Sequence, residues 1–436
     1  MSSNSRWFLI CAAALLGGLA PSAARAIPGE AYAEFTHDGG WCWFADPRAL
    51  ICQGKTYCGW VTSNGSIQIG VLDHTSGKIT TTTLHEKFQK DDHDTPTFFS
   101  RPDGRLMAFY SRHSGVDMYA RITKRPNDAS EWEPERTLQF HDGPRPRKDV
   151  TYPTPISLSD EAGTLYMFWR GDSYKPTVSK STDAGDTWST ARVLIMRKGA
   201  DARNRPYFRV ASNSKDRIHF VFTDGHPRNE PTNSVYYACY KKGAFYKADG
   251  TRIAGWDQLP IEPSAADRVY DASQTLARAW VWDIAEDRSG RPVIAYVRFP
   301  SDTDHRYHYA RWDGQAWRDT EIVAAGRWFP RTPAGQTEPE PNYSGGLILD
   351  HADPSIVYLS RPVKGVFEIE KWTTSDGGAT WQSKPITANS RYDNVRPFVV
   401  RDQTSRRTML LWMNNYGGYV HFTNYLSSIR MSVEEQ

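Results

Sequence analysis

The chain has 436 residues, 39% hydrophobic and 24% charged, with 53 Lys plus Arg against 50 Asp plus Glu and a formal charge of +3. This balance excludes a disordered chain, a coiled coil and a multi-spanning membrane protein. No basic tail or block argues for nucleic acid or a membrane as partner, and an aromatic content of 13% favours strands and aromatic-lined grooves.

The first 26 residues have the pattern of a cleavable secretory signal peptide. Arg6 supplies a positive start, Trp7 to Ala20 form a short apolar run, and Ala24-Arg25-Ala26 is a small-x-small cleavage site. The expected location of the mature protein is therefore secreted or periplasmic. Cys11 leaves with the signal, while Cys42, Cys52, Cys58 and Cys239 stay. Four cysteines in so long a chain do not make a disulfide scaffold. Cys52 and Cys58 flank Gly54-Lys55, so a hairpin there would let them face each other and form a disulfide.

From Asp46 onward one unit recurs: a strand opening near a proline, a polar turn, then a strongly apolar strand. Units begin at Asp46, Thr95, Tyr152, Arg205, Trp280, Pro341 and Arg396. Seven such units with little helical periodicity predict an all-β fold, a seven-bladed β-propeller formed by residues 27–436 as a single domain. Residues 31–45 are expected to donate a strand that closes the ring with the last blade and removes its exposed sheet edges. Ser181-Thr182-Asp183-Ala184-Gly185-Asp186-Thr187-Trp188 and Thr374-Ser375-Asp376-Gly377-Gly378-Ala379-Thr380-Trp381 have the form of Asp-boxes. In these the Asp closes the turn on backbone N–H groups and the Trp packs under the hairpin, a structural role.

The inner strand of each blade lines the central channel, and residues equidistant from a hairpin turn share one end of the two strands. His93 and His113 lie ten residues either side of Asp103, and Tyr152 and Arg170 nine either side of Glu161. Arg205 and Asp224 bracket the next turn. Side chains two apart share a strand face, which adds Arg48 and Arg209 to the face of Asp46 and Arg205. Arg396 precedes Pro397 as Arg205 precedes Pro206. The predicted mouth thus holds His93, His113, Tyr152, Arg170, Arg205, Arg209, Arg48 and Arg396, a cationic and titratable ring suited to a carboxylated ligand. Each residue also has a plainer reading, such as an Arg205–Asp224 surface pair.

Gly40-Trp41-Cys42-Trp43-Phe44-Ala45-Asp46-Pro47-Arg48, Asp91-Asp92-His93 with Ser111-Arg112-His113, and Thr223-Asp224-Gly225-His226-Pro227 resemble BNR-repeat secreted proteins. Within that group they are similar to propeller polysaccharide lyases of the ulvan lyase and rhamnose–glucuronate lyase type. The resemblance implies β-elimination at a 4-linked uronate of an anionic polysaccharide, with His93, His113, Tyr152 and Arg170 as the catalytic set. Arg205, Arg209, Arg48 and Arg396 are the candidate substrate-binding residues. Tyr152 beside Arg170 is expected to have a lowered pKa and to serve as base, acid or both. His93 and His113 are left open between neutralising the carboxylate and acting as second base. The resemblance also implies a structural metal, and a His/Cys set suits zinc. His226, Cys239 and His308 are the candidate ligands, with His305 and His351 as further ones, and no organic cofactor is expected. A monomer is expected. A sialidase-like hydrolase and a glycan-binding propeller without catalysis are the competing readings.

Overall fold

The computed structural model describes residues 32–140, 149–201, 204–327, 345–401 and 407–435, and the backbone of two short strands at Ser22–Ala23 and Arg25–Ala26. The remaining residues of the signal-like leader and the expected opening of the sixth unit at Pro341 lie outside these. The architecture is a seven-bladed propeller of antiparallel sheets, with one short α-helix, Ala272–Thr275, among the described residues. None of these described residues forms a helix long and apolar enough to cross a membrane.

The inner strands are Ala49–Cys52, Thr97–Ser100, Thr151–Leu158, Phe208–Ser212, Arg278–Glu286, Leu347–Leu349 and Asn394–Val399. Each pairs antiparallel with the next strand of its blade. Those second strands sit between the faces of neighbouring blades. Leu106–Ser111 and Thr164–Arg170 are buried along their whole length, which explains why they read as continuous apolar runs rather than alternating ones. The ring closes where Ala33–Thr36 pairs with Ser428–Glu435, the strand next to the second strand of the last blade. This is the strand expected from residues 31–45. Gly39 N–H donates to Ser427 O at 2.8 Å beside it.

Both Asp-boxes close their turns in the same way. Asp183 Oδ1 accepts from Thr187 N–H (2.8 Å) and the Ser181 hydroxyl (2.7 Å), and Gly185, at φ +91°, donates to Ser181 Oγ (2.8 Å). Asp376 Oδ1 likewise accepts from Thr380 N–H (2.9 Å) and the Thr374 hydroxyl (2.8 Å). The tryptophans pack across blades. Trp188 meets Phe109 and Phe140 of the second-blade region edge-on, and Trp381 meets Tyr309 of the fifth blade at 5.1 Å. Arg101 reinforces the first staple through Ala184 O (2.7 Å) and Asp186 (3.1 Å). The boxes therefore pin neighbouring blades together.

Cys42, Cys52, Cys58 and Cys239 are free thiols. The turn at Gln53-Gly54 pairs Cys52 with Lys55 and sets Cys58 opposite Ala49. The two sulfurs therefore never face each other, and the hairpin disulfide expected above does not form.

Asp183→Ala removes the acceptor that holds this exposed turn. It should lower unfolding free energy by about 1 kcal/mol in denaturant titration while leaving the activity of the folded protein unchanged. A loss of activity at full folding would contradict the structural role.

Candidate active site

One mouth of the channel opens into a cavity of about 420 Å³, in the size range of small-molecule sites. Segments from several blades supply it. His93 stands in the short turn Asp92–Asp94 before the second inner strand, and His113 follows the strand after it. Tyr152 opens the third inner strand and Arg170 ends that strand's partner. Arg205 and Tyr207 precede the fourth inner strand, with Tyr174, His226 and Trp280 across the cavity. Phe422 reaches in from the loop between Tyr419–His421 and Asn424–Tyr425.

The two imidazoles are stacked, with centroids 3.9 Å apart and planes 3° from parallel. One carboxylate bridges them. Asp91 Oδ1 accepts from His93 Nδ1 at 2.7 Å and Asp91 Oδ2 from His113 Nδ1 at 2.9 Å. Asp91 also caps the turn by accepting His93 N–H at 3.0 Å, so the Asp-x-His spacing folds the acceptor back onto the ring. His93 has a second anion, Asp92 Oδ1, 2.9 Å from Nδ1. A second positive charge in this stack is unfavourable, and the ring nearer two carboxylates keeps the proton at rest. Burial opposes charge on His93, yet Asp91 and Asp92 hold its pKa well above 6.5. Burial and the charge on His93 push His113 down to about 4. Burial and the neighbouring Asp91 push the Asp94 carboxyl well above the ordinary carboxylate range. With both Nδ1 atoms engaged by Asp91, each Nε2 is the ring nitrogen left for a substrate.

Tyr152 is 3% exposed and packs 5.5 Å from the His93 ring and 5.3 Å from Phe44. Its phenol is not acidified by Arg170, as the sequence suggested. Burial and neighbouring groups outweigh the guanidinium and raise the pKa well above 10. The reason is geometric: Arg170 lies over the face of the ring, 5.0 Å from its centroid. It donates instead to Tyr207 Oη (3.2 Å), Ser114 Oγ (3.0 Å) and Thr151 Oγ1 (3.0 Å). Tyr152 has φ +66° at a bulge, so Thr151 rather than Tyr152 pairs with Arg170. The bulge re-aims the phenol into the cavity.

The other arginines divide. Arg205 lines the cavity, stacks on Tyr174 at 3.7 Å, and donates no hydrogen bond among the described residues. Asp224, its alternative partner in the sequence reading, accepts from Ser234 N–H and Tyr236 instead. Arg396 also lines the cavity, but its donors are held by Trp41 O (2.6 Å), Asp92 Oδ2 (2.6 Å) and Tyr419 Oη (2.7 Å). Arg48 and Arg209 do not reach the mouth. Both are buried deeper in the channel, Arg209 on Asp46 Oδ2 and Trp43 O, and Arg48 on Cys42 O at 2.8 Å. Four residues of strand separate Arg205 from Arg209, about 13 Å, so a shared face does not mean a shared end.

The expected zinc ligands do not converge. His226 lies at the mouth against Trp280 and Tyr207. Cys239 is paired with His219, four residue pairs down the strand from the end nearest His226. His308 sits in the fifth blade on Asp319. His305 is buried against Phe299, and His351 lies on Asp283. The described sets with ligand atoms close enough to share an ion are Asp91, His93 and His113, and Cys42, Asp92 and His93. His93, common to both sets, is already hydrogen-bonded to Asp91 through Nδ1, as is His113 in the first. The sequence reading missed Asp91 as a bridge, and Ser114, Tyr174, Tyr207, Trp280 and Phe422 as walls. Tyr207 was within reach, since it lies two residues beyond Arg205 on the same face.

Fold and cavity together define a ring-closed propeller with a titratable, cation-lined mouth. The family model for BNR repeat-containing proteins matches residues 55–325, and the chain belongs to that family. A curated PL25 ulvan lyase of Pseudoalteromonas sp. (strain PLSV) is 24% identical over 276 residues, 52% of this chain and 51% of that protein. The chain thus spans about half the length of that relative in the match. Among solved structures, a PL25 ulvan lyase bound to -[GlcA(1-4)Rha3S]- aligns with TM-score 0.68 and 16% identity, covering 92% of this chain and 95% of that one. Polysaccharide lyase Uly1 aligns with TM-score 0.60 and 11% identity, covering 94% of each chain. At such identities these structures share the fold.

Asp46 is the anion between Arg48 and Arg209, so Asp46→Ala leaves buried cations unpaired. It should cost about 3–5 kcal/mol of stability in chemical denaturation. Arg205→Ala, which breaks no described ion pair, should cost under about 1 kcal/mol. Equal losses would contradict this division of the arginines.

Proposed function

We propose that this chain is a polysaccharide lyase that cleaves a 4-linked uronate, in a rhamnose-containing polymer such as ulvan, by β-elimination. The observation that carries the reading is the stacked imidazole pair on one carboxylate beside a buried neutral phenol. The likeness to ulvan lyases supports it, as does the cationic wall formed by Arg205, Arg170 and charged His93. The signal-like leader supports a secreted or periplasmic location.

The C5 proton of a uronate becomes acidic when the adjacent carboxylate charge is offset and the developing enolate is stabilised. In this reading His93, held charged, and Arg205, with its free donors, take the carboxylate. His113, neutral at working pH, accepts the C5 proton at Nε2. The electron pair forms the C4–C5 double bond as the C4–O bond breaks. Tyr152, neutral and buried, gives its phenol proton to the leaving oxygen and is reprotonated afterwards, the proton on His113 leaving in turn. Arg170 stacks under the phenol ring, a position that favours the phenolate formed in the reaction.

Incubation with ulvan or a rhamnose–glucuronate polymer should release 4,5-unsaturated ends with new ultraviolet absorbance. Tyr152→Phe should lower kcat about 10²–10⁴-fold with an unchanged fold by circular dichroism. Saturated ends would point to hydrolysis, and binding without product to a glycan-binding protein.

The rate should also show two limbs. His113 must be neutral, so kcat/KM should fall as pH drops through about 4. His93 must be charged, so kcat/KM should fall again as pH rises through its elevated pKa, above 6.5. A profile that climbs steadily into the alkaline range would indicate a phenolate base instead.

A further inference from the structure

The inner strands that supply the mouth continue to a second cavity of about 330 Å³. Tyr152 and Tyr207 line the first, whereas Thr154 to Ser157 and Val210 to Ser212 of the same strands line the second. Five residues from Tyr152 to Ser157 span about 16 Å, so the second cavity lies at the other end of the channel. A charged network stands between them. Arg209 holds Asp46, Asp283 Oδ2 accepts Leu349 N–H at 3.0 Å, and His351 Nε2 lies 3.0 Å from the same oxygen.

Among the described residues, the network holds more guanidiniums than carboxylates. Arg48, Arg209 and Arg401 face Asp46 and Asp283, and burial together with Arg401 lowers the pKa of His351. Arg401 is the least engaged of the three guanidiniums. Its Nη2 is 3.6 Å from Asp283 and 3.8 Å from Asp46, beyond hydrogen-bond length, and its one described hydrogen bond, to Val399 O, is 3.4 Å long. It borders the second cavity beside His351. Phe99, Pro155, Ile156 and Val210 supply an apolar wall, and the Asp46 carboxylate, which Arg209 holds, and the hydroxyls of Ser157 and Ser214 share the lining.

We infer that this distal cavity binds a small organic carboxylate one ring in size, its carboxylate on Arg401 and its ring against the Phe99–Ile156 wall. A guanidinium with spare donors beside an apolar wall recognises a carboxylate through charge-assisted hydrogen bonds, and the wall supplies the burial. The site is independent of the lyase reading. Both sugar acids and aromatic acids have this chemistry.

The test is calorimetric titration of the full-length folded protein with sodium glucuronate and, separately, sodium benzoate, alongside the neutral analogues methyl glucoside and benzyl alcohol. At least one carboxylate should bind, and which one does separates a sugar acid from an aromatic acid. Arg401→Gln should weaken binding at least tenfold. Ser157→Phe, which fills the cavity without touching the charge network, should do the same. Because Arg205 is the proposed partner of a uronate at the opposite mouth, the titration is also read in an Arg205→Gln background, where the distal binding should persist. The inference is overturned if neither carboxylate binds, if a neutral analogue binds equally, if binding survives Ser157→Phe, or if only Arg205→Gln abolishes it.

Discussion

The site depends on one shared anion. Asp91 offers its two oxygens to two stacked imidazoles, and a positive charge on both is unfavourable at rest. The pair therefore splits. The ring that also faces Asp92 keeps its proton, and the other gives up its own at a pH far below the ordinary histidine range. Two chemically identical side chains thereby become a cation and a base. The raised pKa of Asp94 belongs to the same balance, since burial and the charge on Asp91 both oppose a further carboxylate charge in this turn.

That turn is held by the closure of the ring. Asp92 N–H donates to Phe422 O, its carbonyl accepts Cys42 N–H, and its carboxylate takes Arg396 and Tyr419. These partners come from the N-terminal segment and the last blade, the two ends of the chain that meet at the seam. The strand pairing that completes the propeller is thus coupled to the orientation of His93. This also explains why Arg396, though it borders the cavity, is unavailable to a ligand: it ties the seam to the turn.

Much of this was legible in the residues themselves. Seven strands followed by apolar second strands, six of the units opened by a proline, mark seven blades, because a strand buried between two blades has no solvent face to alternate with. The spacing of His93 and His113 about their turn brings them together, since hairpin symmetry holds where the register is regular. The same rule slips by one residue at Tyr152, where a bulge and a positive φ break the register, and Arg396 at φ +52° sits at a similar irregularity. Face periodicity grouped Arg48 and Arg209 with the mouth because alternation reports the face of a strand and says nothing of depth. The metal set failed for the same reason, His226 and Cys239 lying at different levels of one blade. Burial of the Tyr152 phenol, which sets its protonation, has no local sequence signal at all.

The central claim is that Asp91 divides one proton's worth of charge unequally between His93 and His113. Nitrogen-15 NMR of the histidine rings across pH measures this directly, with Asp91→Asn to assign the origin. Two well-separated ionisations should appear, one near 4 for His113 and one above 6.5 for His93, drawing together when Asp91 is neutralised. Two overlapping titrations near the ordinary histidine value in the unaltered protein would contradict the account.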